Sequence, residues 1–345
     1  MEKFRLICGV DVSKSDLAIA LLKGEKILDQ FSVSNDESGL EALSKKLTSW
    51  ESDAAQVLIC LEHTGIYIEG LTQRFAPTDY CVWVVNPLMI KYARVNFDRL
   101  KTDPADAKKI AEYGYLFQLK AKDYRPLDPL NTQIKDLYLL RGQLVKVQGQ
   151  LKNFEATNQD RLDPRAINTQ IWTDLIAQIK AAIDEVESQL NALCKQDQQL
   201  KRYHQILRSI PGIGPVSAWQ LIYTTQGFQR FPSHKQFAAY AGIAPFACQS
   251  GSSIHRKPKL SPKACREIKT NLTMGAVSQI RPKMVFEKYY HYMKRKQNKP
   301  HLWIINSIRN TIVKLAFDLI KKDQLFDLEI FLKNKKSWQK CLTLS

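Results

Sequence analysis

The chain has 345 residues, 44% of them hydrophobic and 25% charged, with a formal net charge of +17. That composition excludes wholesale disorder, and the length is enough for two or three domains with real cores. No apolar run approaches the ~18 residues of a membrane span, and the N-terminal apolar stretch is too short for a secretory signal, so a cytoplasmic protein with no membrane partner is expected.

Residues 1–125 read as α/β. Phe4–Val12, Leu17–Leu22 and Lys26–Val33 are short apolar runs split by Gly, Lys and Asp, a strand and hairpin pattern. Glu37–Trp50 has helical spacing, and Ile66–Phe75 is also helical in character. Gln56–Glu62 and Cys81–Val85 are continuous apolar runs of strand length, as in central strands covered on both faces. A mixed sheet with helices packed on it follows. Cys8, Cys60 and Cys81 lie in these strand-like runs as small hydrophobes; seven Cys, without a C-x-x-C pair, fit reduced thiols rather than a disulfide framework or zinc site.

Between residues 126 and 200 the pattern becomes heptad-like. Leu137, Leu140, Leu144, Val147, Leu151 and Phe154 form one stripe. After Asp163-Pro164, Trp172, Ile176, Ile179, Ile183, Val186, Leu190 and Leu193 form a second. The two stripes predict an antiparallel helical hairpin or coiled-coil spacer, or else two helices packed flat on a globular body. Residues 201–345 read as helical and basic, broken by Gly and Pro at 211–215, 227–232, 242–258 and 262, with helical periodicity from Leu302 to Leu332.

The charge is unevenly placed. Residues 1–125 carry 17 basic and 18 acidic side chains, residues 126–200 carry 8 and 10, and residues 201–345 carry 26 and 6. A near-neutral front and a back half of net +20 predict a nucleic-acid-binding C-terminal domain.

Four acids in the front half could carry chemistry. Asp11 ends the first strand in GVDVSK, and Glu62 ends another buried strand in LEHTGIY. If those strands are neighbours, the two carboxylates converge; taken alone, an Asp at a strand end is more often a turn residue. In KTDPADAKKIA, Asp103 is the expected N-cap of a helix with Pro104 in its first turn, and Asp106 falls on the same face, a pattern that capping alone also explains. Together the four could supply oxygen ligands to a pair of Mg²⁺ ions acting on a phosphodiester.

These residues resemble a known family. GVDVSK, then E-x-T-G-x-Y from Glu62 to Tyr67, Asn86-Pro87 and K-T-D-x-x-D-A from Lys101 to Ala107 are similar to the RuvC-like (RNase H-like) N-terminal domain of insertion-sequence transposases related to the Piv DNA invertase. The resemblance implies that Asp11, Glu62, Asp103 and Asp106 are the metal-binding acids.

The back half extends the resemblance. Ser209–Ala218 (SIPGIGPVSA) resembles a helix-hairpin-helix, in which Gly212 and Gly214 would let backbone N–H groups approach a phosphate. Further on, Gly242-Ile-Ala-Pro245, four residues and then Ser250-Gly251 match a family pattern whose Ser is the proposed nucleophile, here Ser250 in a loop. Directly after it, Arg256, Lys257, Lys259, Lys263, Arg266 and Lys269 stand against a single acid, Glu267, a density suited to phosphate-backbone capture. The family departs at Thr225–Phe228, which lacks flanking acids, and at Ser307–Asn310, which lacks an Arg-Lys pair.

The resemblance therefore implies a DNA recombinase that joins Ser250 covalently to DNA. It would act on donor and target DNA, guided by a structured bridge RNA, in a homodimer or homotetramer whose subunits share the site. The alternatives are a metal-dependent junction resolvase-like nuclease, using the acids and water, and a non-enzymatic nucleic-acid-binding scaffold.

Overall fold

The computed structural model describes residues 3–93, 102–124, 128–159, 169–250, 254–260 and 265–334, with 245–250 and 254–260 described by their backbone. The backbone packs into two units, Met1–Pro126 and Leu127–Ser345.

The N-terminal unit is built on a five-stranded mixed sheet in the order β3-β2-β1-β4-β5. Strands β1 (Leu6–Val12), β2 (Asp16–Lys23) and β3 (Lys26–Ser34) form an antiparallel meander, whereas β4 (Val57–Glu62) and β5 (Cys81–Val85) run parallel to β1. The period-two pleat divides each central strand between two cores. Leu6, Cys8, Val10 and Val12 of β1 share one core with Val57, Ile59 and Leu61 of β4, beneath α1 (Glu37–Trp50) and α2 (Glu69–Phe75). Ile7 of β1 and Leu58 and Cys60 of β4 face the other, beneath α4 (Asp103–Phe117); α3 (Pro87–Ala93) follows β5. A 3-10 turn at Gly65–Ile68 leads into α2.

Small residues seat α4 on the sheet. Ala107, Ala111 and Gly114 are buried on its inner face, beside Ile110. A Cβ on Gly9 of β1 would lie 2.5 Å from the Ala107 carbonyl oxygen and 2.6 Å from the Ala111 Cα, both backbone. The helix lies so close to β1 because position 9 has no side chain.

The C-terminal unit is mainly α. Helices α5 (Pro129–Gln159) and α6 (Thr169–Gln196) pair, with Arg141 Nε to Glu187 Oε1 at 2.6 Å and the Phe154 and Trp172 ring centroids 4.9 Å apart. The base of this pair is part of the globular core: Ile134, Tyr138, Val186 and Leu190 are buried with Trp219, Phe237 and Ile304. Away from that base, Leu140, Val147 and Phe154 are exposed, so the stripe closes only where the globular helices meet it.

The rest of the unit comprises α7 (Gln198–Ser209), α8 (Pro215–Thr225), α9 (His234–Tyr240), α10 (Arg266–Ser278), α11 (Glu287–Arg295), α12 (His301–Lys322) and α13 (Leu328–Asn334). One departure from the helical expectation stands out. Strands β6 (Pro245–Ser250) and β7 (Ile254–Leu260) form an antiparallel hairpin with an irregularity between Phe246 and Cys248. Pro258 inside the second segment bars a helix there but is tolerated in an edge strand. Among the described residues no helix is long and apolar enough to cross a membrane.

Candidate active site

The pleat that buries β1 and β4 also aims their terminal acids. Asp11 follows Ile7 and Gly9 at steps of two, and Glu62 follows Leu58 and Cys60, so both fall on the α4 face. Val10 pairs with Leu61 in parallel register, which makes Asp11 and Glu62 neighbours at the carboxyl ends of adjacent strands. The first turn of α4 brings Asp103 and Asp106 to the same edge. Sequentially distant acids are thus gathered by one strand pairing and one helix.

Electrostatics report the convergence. Burial, followed by the carboxylates of Asp106 and Asp103, raises the Asp11 pKa above its ordinary value. Burial, followed by Asp11 and Asp106, does the same for Glu62. Lys109, one turn after Asp106 on α4, holds Asp106 Oδ1 at 2.8 Å from its Nζ.

Local hydrogen bonds fix the surrounding loops. Asn35 Nδ2 donates to the Ser13 carbonyl at 2.9 Å and to the Tyr67 carbonyl at 3.0 Å, tying the loop after Asp11 to the turn after Glu62. The His63 N–H donates to the Val85 carbonyl at 3.0 Å, extending the β4–β5 pairing past Glu62. Gln30 Nε2 donates to the Pro104 carbonyl at 3.1 Å, fastening the start of α4 to β3.

Hard, mutually repelling oxygen donors suit a divalent cation of the Mg²⁺ type. The Thr64 hydroxyl, two residues beyond Glu62, is buried without a hydrogen-bond partner among the described residues. The donors agree in kind with such an ion. Their side chains are not drawn into a closed shell: among the described residues no group of three or more His, Cys, Asp or Glu meets metal-holding geometry.

Asp103 is not the N-cap. Thr102 takes that place without a side-chain cap bond, and its carbonyl accepts from the Asp106 N–H at 2.9 Å, so α4 begins one residue earlier than expected. Ser250 is the last residue of β6 rather than a loop residue, paired with Ile254. Gly251, Ser252, Ser253 and Lys263 lie outside the described residues. Arg256, Lys257 and Lys259 fall on β7, and Arg266 and Lys269 on α10.

The two glycines of the α7–α8 turn separate in character. Gly212 has φ +91°, and a Cβ there would meet the Gly275 carbonyl oxygen of α10 at 2.9 Å. Its missing side chain serves packing on α10. Gly214 is the N-cap of α8, and a Cβ there would meet nothing within 4 Å. It opens on a hollow of about 400 Å³ shared with Ser217, Asn271 and Ser278.

Asn35 and Lys109 were not singled out from the sequence. Lys109 was legible from its i+3 spacing to Asp106, whereas Asn35 acts between loops that only the sheet brings together.

Two family models match this chain. Residues 8–157 match a model described as Transposase, of the DEDD IS110 type, and residues 204–291 match one described as Transposase IS116/IS110/IS902 family. The pilin gene-inverting protein of Moraxella bovis is 27% identical over 327 residues, covering 93% of this chain and 98% of that protein. Its Moraxella lacunata counterpart gives the same identity and coverage. An uncharacterized 43.6 kDa protein of insertion element IS110 from Streptomyces coelicolor is 24% identical over 157 residues, 44% of this chain and 38% of that one. The solved structure of T. thermophilus RuvC in complex with a Holliday junction substrate is 13% identical, covering 34% of this chain and 99% of that chain, with a TM-score of 0.28.

Proposed function

We propose that this chain, a DNA recombinase matched by IS110-type transposase models over residues 8–157 and 204–291, cuts and rejoins DNA with the carboxylates of Asp11, Glu62, Asp103 and Asp106 and the hydroxyl of Ser250. The observation that carries this reading is the convergence of acids from β1, β4 and α4, where burial first, and then the neighbouring carboxylates, raise the pKa of both Asp11 and Glu62. A protein gains nothing in stability from like charges held together, so the arrangement points to a positive ligand.

The four acids would hold divalent cations such as Mg²⁺. The chemistry supplied by such an ion, when bound, is polarisation of a phosphodiester and neutralisation of charge on the leaving oxygen. Asp11 and Glu62 aim from paired strand ends, and their orientation is fixed by the sheet rather than by loops. Lys109 offsets the charge of Asp106.

Ser250 forms a new bond from its Oγ to phosphorus while the bond to a deoxyribose 3′ oxygen breaks. The serine proton passes to solvent or a nearby base, and the departing oxygen takes up a proton as a 3′-hydroxyl. A 3′-hydroxyl from the exchanged strand then attacks the phosphoserine, re-forms the phosphodiester and restores Ser250. Strand exchange of this kind accords with the Moraxella relatives being pilin gene-inverting proteins.

The net +20 of residues 201–345 would grip phosphates, with Gly214 at the start of α8 and the basic side chains of Arg256, Lys257, Lys259, Lys263, Arg266 and Lys269 as contacts. A structured guide RNA is a further partner in this reading. So is a second or fourth copy of the chain, bringing the acids of one subunit to the serine of another.

The test is incubation of full-length protein with labelled DNA spanning the end of its encoding element, Mg²⁺ and co-purified RNA. A denaturation-resistant protein–DNA adduct is expected, and it is lost in Ser250→Ala. Undiminished strand cleavage by Ser250→Ala, without any adduct, would instead identify a nuclease that uses water.

A further inference from the structure

Arg309 lies on α12 and is only 5% exposed within the core of the C-terminal unit. Burying a guanidinium is costly unless a carboxylate faces it. Among the described residues no carboxylate lies within ion-pairing distance of Arg309, and its Nε has no acceptor. Burial lowers its pKa from the ordinary arginine value. Such a residue does not stabilise the core as a charge, so its geometry is the informative property.

That geometry leads to the hairpin. Nη1 donates to Thr273 Oγ1 on α10 at 2.9 Å, and Nη2 donates to Asn306 Oδ1 at 2.9 Å. Asn306 Nδ2 in turn donates to the Ile243 carbonyl at 3.0 Å, and Asn310 Nδ2 donates to the same oxygen at 3.1 Å. Ile243 is fully buried, and its N–H donates to the Ala238 carbonyl at 2.9 Å. Two residues later β6 begins. On the return side the Cys265 N–H donates to the Tyr240 carbonyl at 3.2 Å, and α10 starts at the next residue. Thr273 therefore sits on the helix that leaves the hairpin, and Ile243 on the segment that enters it.

We propose that Arg309 is a positioning residue for the β6–β7 hairpin, joining its entry and its exit through one planar guanidinium so that the Ser250 end is held in a single place. The catalytic part of this rests on the reading of Ser250 as the nucleophile. A two-stranded ribbon is marginal by itself and takes its orientation from its roots. From Ile243 to Ser250 an extended chain spans about 23 Å at ~3.3 Å per residue. Over that lever a tilt of about 3° at the root moves the far end roughly 1 Å, a displacement that costs on the order of 100-fold in rate. The guanidinium suits this task because its donors leave at fixed angles in one plane, whereas an ammonium is a single flexible point.

The experiment compares full-length wild type, Arg309→Lys and Ser250→Ala by hydrogen exchange across the C-terminal unit. Adduct formation on the labelled element-end DNA and affinity for that DNA are measured alongside. In Arg309→Lys the amides of β6 and β7 exchange about tenfold faster relative to the rest of the unit. Adduct formation falls about 100-fold while DNA affinity stays within about twofold. Wild-type protection of the hairpin, or protection lost evenly across the unit, overturns the proposal.

If Arg309→Lys does not fold, Asn306→Ala replaces it, since it cuts the relay from Arg309 to Ile243 while Asn310 still holds the Ile243 carbonyl and Thr273 still holds Arg309. The same selective loosening is expected, and unchanged hairpin protection again overturns the idea. Ser250→Ala keeps the hairpin protected. A loosened hairpin in Arg309→Lys together with a persistent adduct in Ser250→Ala would remove the nucleophile assignment and leave the positioning role intact.

Discussion

Replacing Gly9 by Ala puts a methyl group 2.5 Å from the Ala107 carbonyl oxygen and 2.6 Å from the Ala111 Cα. Ordinary carbon contacts need roughly 3.5 Å, so α4 and β1 must part by roughly 1 Å. Both neighbours are backbone, and no side chain can rotate aside. Overpacking of this kind costs typically about 1–3 kcal/mol, and the rigidity on both sides argues for the upper end. For a unit of this size that is a fall in melting temperature on the order of 10 °C.

The consequence for chemistry is larger than for folding. Asp103 and Asp106 ride on α4, whereas Asp11 sits two residues from the substitution, so the gap opens between the two halves of the acid set. A misplacement of roughly 1 Å costs about 100-fold in cleavage. The assay is single-turnover cleavage of labelled DNA at a temperature where circular dichroism shows the variant folded. Gly70→Ala is the control: its Cβ would meet the Leu40 Cδ1 at 3.7 Å, an ordinary van der Waals contact. It should change stability by less than about 1 kcal/mol and leave cleavage intact. Equal loss of cleavage in both variants, or a Gly9→Ala protein as active as wild type, would refute the argument.

Other expectations follow from the same geometry. Because burial and neighbouring acids raise the Asp11 pKa, its ionised form opposes folding above that pKa and the penalty lifts as pH falls through it. Asp11→Asn should therefore raise the melting temperature by a few degrees at neutral pH without divalent cations, while abolishing cleavage; a lowered melting temperature in differential scanning fluorimetry would contradict this. Asp36 caps α1, and bonds from the Gly39 N–H, then Ser38 and Ser34, lower its pKa to about 2. Its contribution to stability is present above the unfolded pKa and is lost as pH falls through about 2, so urea midpoints of wild type and Asp36→Ala should converge towards that pH. Gly275→Ala drives a methyl into the Gly212 backbone and should destabilise the C-terminal unit by about 1–3 kcal/mol, whereas Gly214→Ala, which meets open space, should leave its thermal midpoint unchanged.

Much of the N-terminal unit was legible because its signals are local and periodic. The continuous runs around Ile59 and Val82 are buried on both faces, as unbroken apolar strands require, and the pleat places Asp11 and Glu62 on one face. What escaped depends on contacts across the fold. Asn35 is an unremarkable loop residue until β3 carries it between Ser13 and Tyr67. Gly212 and Gly214 look alike in SIPGIGPVSA, yet only Gly212 meets a second backbone. The β6–β7 hairpin was hidden by its Gly, Pro and basic residues, which read as breaks and charge rather than as strands. Ser307–Asn310 seemed a mere departure from a family pattern, although it contains the guanidinium that links α10 to α12.

The acids come from positions 11, 62, 103 and 106, and the parallel pairing of β1 with β4 is what makes the first two neighbours. Contacts so far apart along the chain carry a large loop-closure cost and form late in folding. A ribosome-bound fragment that has released β1 through β5 but not α4 holds only half of the acid set. In the proposed reading, nascent chains stay inert until α4 settles against Gly9 and Ser250 has followed it off the ribosome.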